Sequence, residues 1–395
     1  MCISFVLLPK FARSSHNNHW GECCMSQLVP PHIEKLEPYI PGRSIAEIRQ
    51  LYGLSEVYKL ASNENPLGVP PRAHQAMMQV ISDVNRYGDP AALALRQKLA
   101  TRFHLKPDNV AVGAGSEGIM SNIIRAFVSD RDELLTSEGT FIGFKVLAQS
   151  KGAPFIQVPL QKGYRFDLQA IADAVTEHTK VIYLCNPNNP TGTIFTRAEF
   201  DAFIQHIPER VIIILDEAYF EYAASDPNYP DSMSYRYDNV ITLRTFSKAY
   251  GLAGLRVGYG FAHDKFIINL LKVKLPFEPN SVAQAAALAA LDDEEFLQQS
   301  ILLNQEGYAF LTKAFTELGY TWIPSWANFI MLELESEARV NELTEFLLRG
   351  GVIVRPLKAF GLPHCLRISI GLPKENQRCV ELMEKFLTVA APQVH

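Results

Sequence analysis

The sequence predicts an α/β protein in which a large domain, built on a mostly parallel seven-stranded sheet sandwiched by helices, is joined to a smaller α+β domain. Three observations carry this. From about residue 72 to residue 290, strand-length apolar runs alternate with amphipathic stretches of helical spacing. Several of those runs, 211–215 among them, are apolar at every position, as strands covered on both faces of a parallel sheet must be. After Pro279 the rhythm gives way to long helical patterning and then to short strands.

Taken in order, the strands of the large domain fall at 109–112, 133–136, 155–158, 181–185, 211–215, 240–243 and 256–261. Amphipathic helices are read before the first of them, at 91–103, and between others, at 117–128, 167–175 and 197–206. The smaller domain starts with helical patterning over 281–318. It continues through a strand at 329–334, a helix at 338–349 and strands at 352–355 and 366–370. The expected division is 1–30, an N-terminal extension; 31–70, an arm and part of the small domain; 71–285, the large domain; and 286–395, the C-terminal small domain. Residues 1–24 open on MCISFVLL, apolar but without a basic stretch before it or a small-residue cleavage site after it. They are read as an upstream start or a dispensable tail, with Met25 following.

Composition narrows the function. A chain of 395 residues with 48% hydrophobic and 20% charged residues is an enzyme-sized globular protein. Its 37 Lys+Arg against 42 Asp+Glu leave a net charge of −5 and no basic footprint for nucleic acid. No run approaches the roughly 20 apolar residues that span a bilayer. The six cysteines are scattered without CxxC pairs, which argues against a zinc site and for a reducing, cytoplasmic setting.

Three motifs at strand ends carry the chemistry. The first is Arg244-Thr245-Phe246-Ser247-Lys248-Ala249-Tyr250-Gly251-Leu252-Ala253-Gly254-Leu255-Arg256, directly after an apolar strand. A lysine at a strand end is usually a solvated surface residue. Here small, hydroxylic and glycine-rich neighbours suit a backbone wrapped round a phosphate, with Ser247 as a hydroxyl donor and Arg256 as a forked cation. Lys248 supplies the amine that pyridoxal chemistry needs, able to join an aldehyde and later to carry a proton. The second motif is the strand 211–215 ending in Asp216-Glu217-Ala218-Tyr219. Acids there often only cap a turn, yet a pyridoxal ring needs one carboxylate against N1, a role Asp216 suits, and Tyr219 could donate to the ring phenolate O3′. The third is Cys185-Asn186-Pro187-Asn188-Asn189-Pro190-Thr191-Gly192, which alone reads as an ordinary turn. Placed before the Asp216 strand, it offers an amide to O3′, and Asn189 is preferred to Asn188.

In order and at strand ends, these motifs resemble those of the fold-type-I pyridoxal-phosphate-dependent aminotransferases. The segments Glu37-Pro38-Tyr39-Ile40-Pro41-Gly42, Lys59 to Gly68, and Cys365-Leu366-Arg367-Ile368-Ser369-Ile370-Gly371 resemble the histidinol-phosphate aminotransferase family in particular, across roughly residues 31 to 390. The resemblance implies pyridoxal 5′-phosphate as cofactor, held at its phosphate by the Gly115-Ser116-Glu117 turn, where a helix N-terminus suits an anion. Phe144 stands where some members stack a tyrosine on the ring. Tyr87 resembles the tyrosine that reaches the partner subunit's cofactor, implying a homodimer with shared sites. Arg367 and Arg355 resemble arginines that grip the substrate's anionic end, with Tyr39 and Asn63 as further substrate-side contacts. The implied reaction takes histidinol phosphate and 2-oxoglutarate to imidazole acetol phosphate and glutamate, in histidine biosynthesis; no metal is implied.

Other readings differ in their signatures. Gly113-Ala114-Gly115-Ser116-Glu117-Gly118 satisfies the dinucleotide pattern G-x-G-x-x-G, with acids about 20 residues onward, but leaves Asn189, Asp216, Lys248 and Arg256 unexplained. An aromatic amino acid aminotransferase or a related decarboxylase would share the motifs and differ in product. A non-catalytic regulator would need a DNA-binding module or basic arm, which is not seen.

Overall fold

The computed structural model describes residues 28–38, 43–235 and 237–390. Residues 1–27 of the N-terminal extension, Tyr39 and three of the six cysteines lie outside them. The first strand is β1 (Tyr58–Lys59). The central sheet then takes β2 (Val110–Gly113), β3 (Glu133–Ser137), β4 (Phe155–Val158), β5 (Thr179–Cys185), β6 (Ile212–Asp216), β7 (Val240–Thr245) and β8 (Gly258–Phe261). Their spatial order is β2-β8-β7-β6-β5-β3-β4. All pairs are parallel except those made by β8, which runs antiparallel to both neighbours. β6 is buried at every residue because helices cover both faces, which explains its unbroken apolar sequence.

A second sheet holds β9 (Thr321–Ile323), β10 (Phe329–Glu333), β12 (Arg355–Pro356) and β13 (Cys365–Ser369) in the order β12-β13-β10-β9, all antiparallel. Between them β11 (Val352–Ile353) pairs in parallel with β1. The chain before the large sheet is therefore stitched onto the C-terminal part. Its helix Ile45–Tyr52 is fixed by a capping box, in which Ser44 and Glu47 satisfy each other's backbone amides, and by Gly53 in a left-handed C-cap. Ile48, Val57 and Ala61 of this segment bury themselves against Leu348 and Ile353.

Two local readings change. The helical patterning of 281–318 is broken into Ser281–Ala290 and Glu294–Glu317. Asp292 pairs with Lys98 and Asp293 accepts from the Arg72 amide at 3.1 Å, so two short acids hold a turn where the apolar pattern alone would run on. The strand read at 256–261 begins only at Gly258, because Arg256 takes a left-handed backbone, φ 53°, after a short 3₁₀ turn. That turn directs its guanidinium back toward Ser247.

Candidate active site

The parallel strands of the central sheet end on one side, where α/β proteins bind ligands. A cavity there is lined by Ser116 and Glu117 after β2, Cys185 ending β5 and Asn189 after it, Asp216 ending β6 and Ala218 and Tyr219 after it, Thr245 ending β7 and Ser247, Lys248 and Arg256 after it, and Phe141. The three sequence motifs, far apart in the chain, thus meet in one place.

Lys248 reaches into this cavity. Its Nζ donates to the Ser62 carbonyl at 3.4 Å and lies 5.6 Å from the centre of the Tyr219 ring. Loss of hydration, with the Arg367 and Arg256 cations nearby, lowers its pKa to about 8. Asp216 is 2% exposed, and burial raises its pKa to about 6 against the hydrogen bond from the Tyr183 hydroxyl, 2.7 Å to Oδ2. Its Oδ1 is buried with no hydrogen-bond partner within the protein. Such an oxygen is costly unless something from the cavity meets it.

Another part of the lining is built for an anion. The helix Gly115–Phe127 opens into it with no side chain capping its first turn, leaving amides free. Arg256 Nη1 donates to Ser247 Oγ at 3.3 Å, and Thr245 Oγ1 donates to the same hydroxyl at 3.0 Å. Gly115, at φ 75°, makes room for the arginine: a Cβ there would stand 2.8 Å from Arg256 Nη2. On the small-domain side, Arg367 is buried, bonded to Asn189 Oδ1 and, at 2.8 Å, to the Ala61 carbonyl. Arg355 faces Arg367 across the β12–β13 pair.

Two expectations are corrected. Phe144 is not on the cavity: it is fully buried and stacks on Tyr183 with ring centres 4.3 Å apart, while Phe141 lines the cavity instead. Phe144 lies within the helix Ile142–Lys151 and faces the sheet, whereas Phe141 is the residue just before that helix. Asn63 is not free to meet a substrate: Nδ2 donates to the Tyr219 hydroxyl at 2.9 Å and Oδ1 accepts from Ser369 Oγ at 2.9 Å. Its side chain positions Tyr219. Tyr39 lies outside the described residues. Tyr87 is 81% exposed, away from the cavity of its own chain, and stacks on Phe277 at 4.2 Å. Asn188 is buried among Gly139, Thr140 and Thr191 and does not reach the cavity. Thr245, Phe141 and Tyr183 were missed, although Thr245 lies inside the lysine motif.

These features fit pyridoxal phosphate. The orphaned Asp216 oxygen matches a protonated ring nitrogen, the uncapped helix end and Arg256 match a phosphate, and Lys248 lines the same cavity. Among the described residues no cluster of His, Cys, Asp or Glu is arranged to hold a metal.

The chain is similar to known proteins over most of its length. The family model "Aminotransferase class I and II" matches residues 55–382. A histidinol-phosphate aminotransferase of Anaeromyxobacter sp. is 41% identical over 362 residues, 91% of this chain and 99% of that protein. Histidinol-phosphate aminotransferase 2 of Ralstonia nicotianae is 43% identical over 372 residues, 92% and 98% of the two chains. Among solved structures, histidinol-phosphate aminotransferase from Sinorhizobium meliloti, in complex with pyridoxal-5′-phosphate, superposes with a TM-score of 0.83 at 28% identity, covering 92% of this chain and 98% of that one. Aspartate aminotransferase of Thermus thermophilus, 21% identical with a TM-score of 0.79 over 90% and 99% of the chains, shares the fold. By the family match and by these identities over nearly its whole length, the chain belongs to the class I and II aminotransferases and groups with the histidinol-phosphate aminotransferases.

Proposed function

We propose that the chain transfers the amino group of L-histidinol phosphate to 2-oxoglutarate, giving imidazole acetol phosphate and L-glutamate, with pyridoxal 5′-phosphate seated in the Lys248 cavity. The observation that carries the chemistry is the pairing, in one cavity, of a lysine with a depressed pKa and a buried aspartate with one unsatisfied oxygen. Its substrate rests on the 38–43% identical relatives, which are histidinol-phosphate aminotransferases.

When bound, the cofactor supplies an aldehyde that takes up amines and a ring that draws electrons from the substrate's Cα. The chain's own groups do the rest. With a pKa of about 8, Lys248 is roughly one-tenth neutral at pH 7, against less than a thousandth for an ordinary lysine. A neutral amine there would be free to take up the cofactor aldehyde and, once released, would serve as the base that carries the Cα proton. Asp216 Oδ1 would hold the ring nitrogen protonated. Tyr219, oriented by Asn63, and Asn189, oriented by Arg367, would serve O3′. The Gly115-Ser116 amides, Ser247 and Arg256 would hold the phosphate, and Arg367 with Arg355 would receive the anionic end of the substrate.

Two subunits share the work in this reading. Tyr87 is 81% exposed, stacks on the exposed Phe277 and follows exposed Ile81 and Val84 in the chain, apolar surface suited to a second copy of the chain. From there it would reach the phosphate of the cofactor held by the second copy. The test of the activity is a panel of amino donors, histidinol phosphate, phenylalanine, tyrosine and aspartate, offered with 2-oxoglutarate. Histidinol phosphate should give the highest kcat/KM. A higher value for an aromatic amino acid, or carbon dioxide release without a keto acid, would overturn the reading.

A further inference from the structure

We propose that Tyr183 is a positioning residue for the cofactor: its hydroxyl clamps Oδ2 of Asp216 so that Oδ1 stays ionised and directed at the ring nitrogen. The inference rests on the pairing of Asp216 with that nitrogen and adds the group that sets it.

Tyr183 lies on β5 two residues before Cys185, so both point to the same face of the sheet. Cys185 is in register with Asp216 and Tyr183 with Ile214, which lets the phenol reach diagonally across the strand pair to the carboxylate. The ring has no freedom to look elsewhere. It is fully buried, stacked within 10° of parallel on Phe144, and its backbone carbonyl is held to β3 by Thr136 Oγ1 at 2.7 Å. A buried phenol hydroxyl needs an acceptor, and a carboxylate is the strongest available. Engaging one oxygen fixes rotation about the Asp216 Cβ–Cγ bond and leaves the other toward the cavity. It also favours the charged form of an acid that burial drives toward neutrality. Phe144 thus contributes behind the site, through Tyr183, and not on the ring.

The experiment compares Tyr183→Phe with the wild type, each alone and in an Asp216→Asn background. In cofactor-free protein, carbon-13 NMR of labelled aspartate follows the Asp216 titration. Loss of the phenol should move its midpoint upward by about one pH unit, since a hydrogen bond to a charged group is removed. Titration with pyridoxal phosphate, read by its visible absorbance, should show about tenfold weaker binding in Tyr183→Phe. In the Asp216→Asn background the same change should cost less than about twofold, because Tyr183 acts through the carboxylate. If Tyr183→Phe does not fold, 3-fluorotyrosine at position 183 keeps the shape with a stronger donor, and the midpoint should move down. An unchanged midpoint, or an equal loss of binding in both backgrounds, would refute the clamp and leave Tyr183 as packing. An Asp216→Asn variant that binds like wild type would instead overturn the pairing of Asp216 with the ring nitrogen itself.

Discussion

Gly115→Ala separates the phosphate site from the rest of the cavity. The substitution meets two obstacles that can be worked from the structure. Position 115 sits at φ 75°, where a side chain costs about 1–2 kcal/mol of backbone strain. The added Cβ would lie 2.8 Å from Arg256 Nη2 and 3.4 Å from its Cζ, so the guanidinium must move aside by several tenths of an ångström. Arg256 is half exposed and long, so it can swing away at little cost to the fold, but in doing so it leaves the anion site. A charge-assisted hydrogen bond is worth about 1.5–3 kcal/mol, which predicts roughly ten- to a hundredfold weaker binding of pyridoxal phosphate. Gly254→Ala is the control: it lies in the same loop region, and a Cβ there meets nothing within 4 Å. The assay is equilibrium titration of the cofactor-free variants with pyridoxal phosphate and with pyridoxal. Gly115→Ala should lose affinity for the phosphorylated form only, with a stability loss of about 1–2 kcal/mol in urea. Equal affinities for the two alanine variants, or an equal loss for pyridoxal, would refute the assignment of Arg256 to the phosphate.

The remaining predictions concern the lysine, the acid and the interface. Lys248→Ala should abolish the visible absorbance of lysine-bound cofactor and lower turnover by about a thousandfold or more; retention of either would falsify the central role given to that amine. Asp216, with a folded pKa of about 6 against an ordinary 3.8, binds its proton more tightly in the native state. Cofactor-free protein should therefore lose stability as pH rises from 4 to 6, by about 3 kcal/mol from this group, and keep that deficit above 6. Thermal melts of cofactor-free Asp216→Asn should run above wild type at pH 7 and converge with it at pH 4; a constant gap across that range would count against the titration of Asp216. Mixed dimers of Tyr87→Phe and Lys248→Ala subunits should carry one fully working site, since the lysine-bearing subunit receives an intact Tyr87 from its neighbour. A site that instead shows the Tyr87→Phe defect, a roughly three- to tenfold weaker cofactor, would place the tyrosine in its own chain.

Much of the fold and the chemical centre could be read from the chain because their signals are local. Apolar runs such as 211–215 announce buried parallel strands, and the residues that follow each run, Asn189, Asp216 and Lys248, fall where strand ends gather by the topology of such sheets. The breaks at Asp292-Asp293 and at Arg256 escaped the periodic reading because single side-chain and backbone contacts decided them.

What only the tertiary structure decided is which side chains face which way once the strands are assembled. On a strand apolar at both faces, nothing in the pattern marks Tyr183 as looking toward an acid 33 residues away. Nor does it mark Phe141, just before a helix, as facing a cavity while Phe144 is turned into the core. Asn63 is the plainest case: its partners Tyr219 and Ser369 stand 156 and 306 residues along the chain. The chain by itself determined the sheet and the reactive residues at its edge, since those depend on hydrophobic period and local turn chemistry. The orientation of the groups behind them depends on packing between distant segments, where burial forces each polar atom to find the one partner that the assembled fold places within reach.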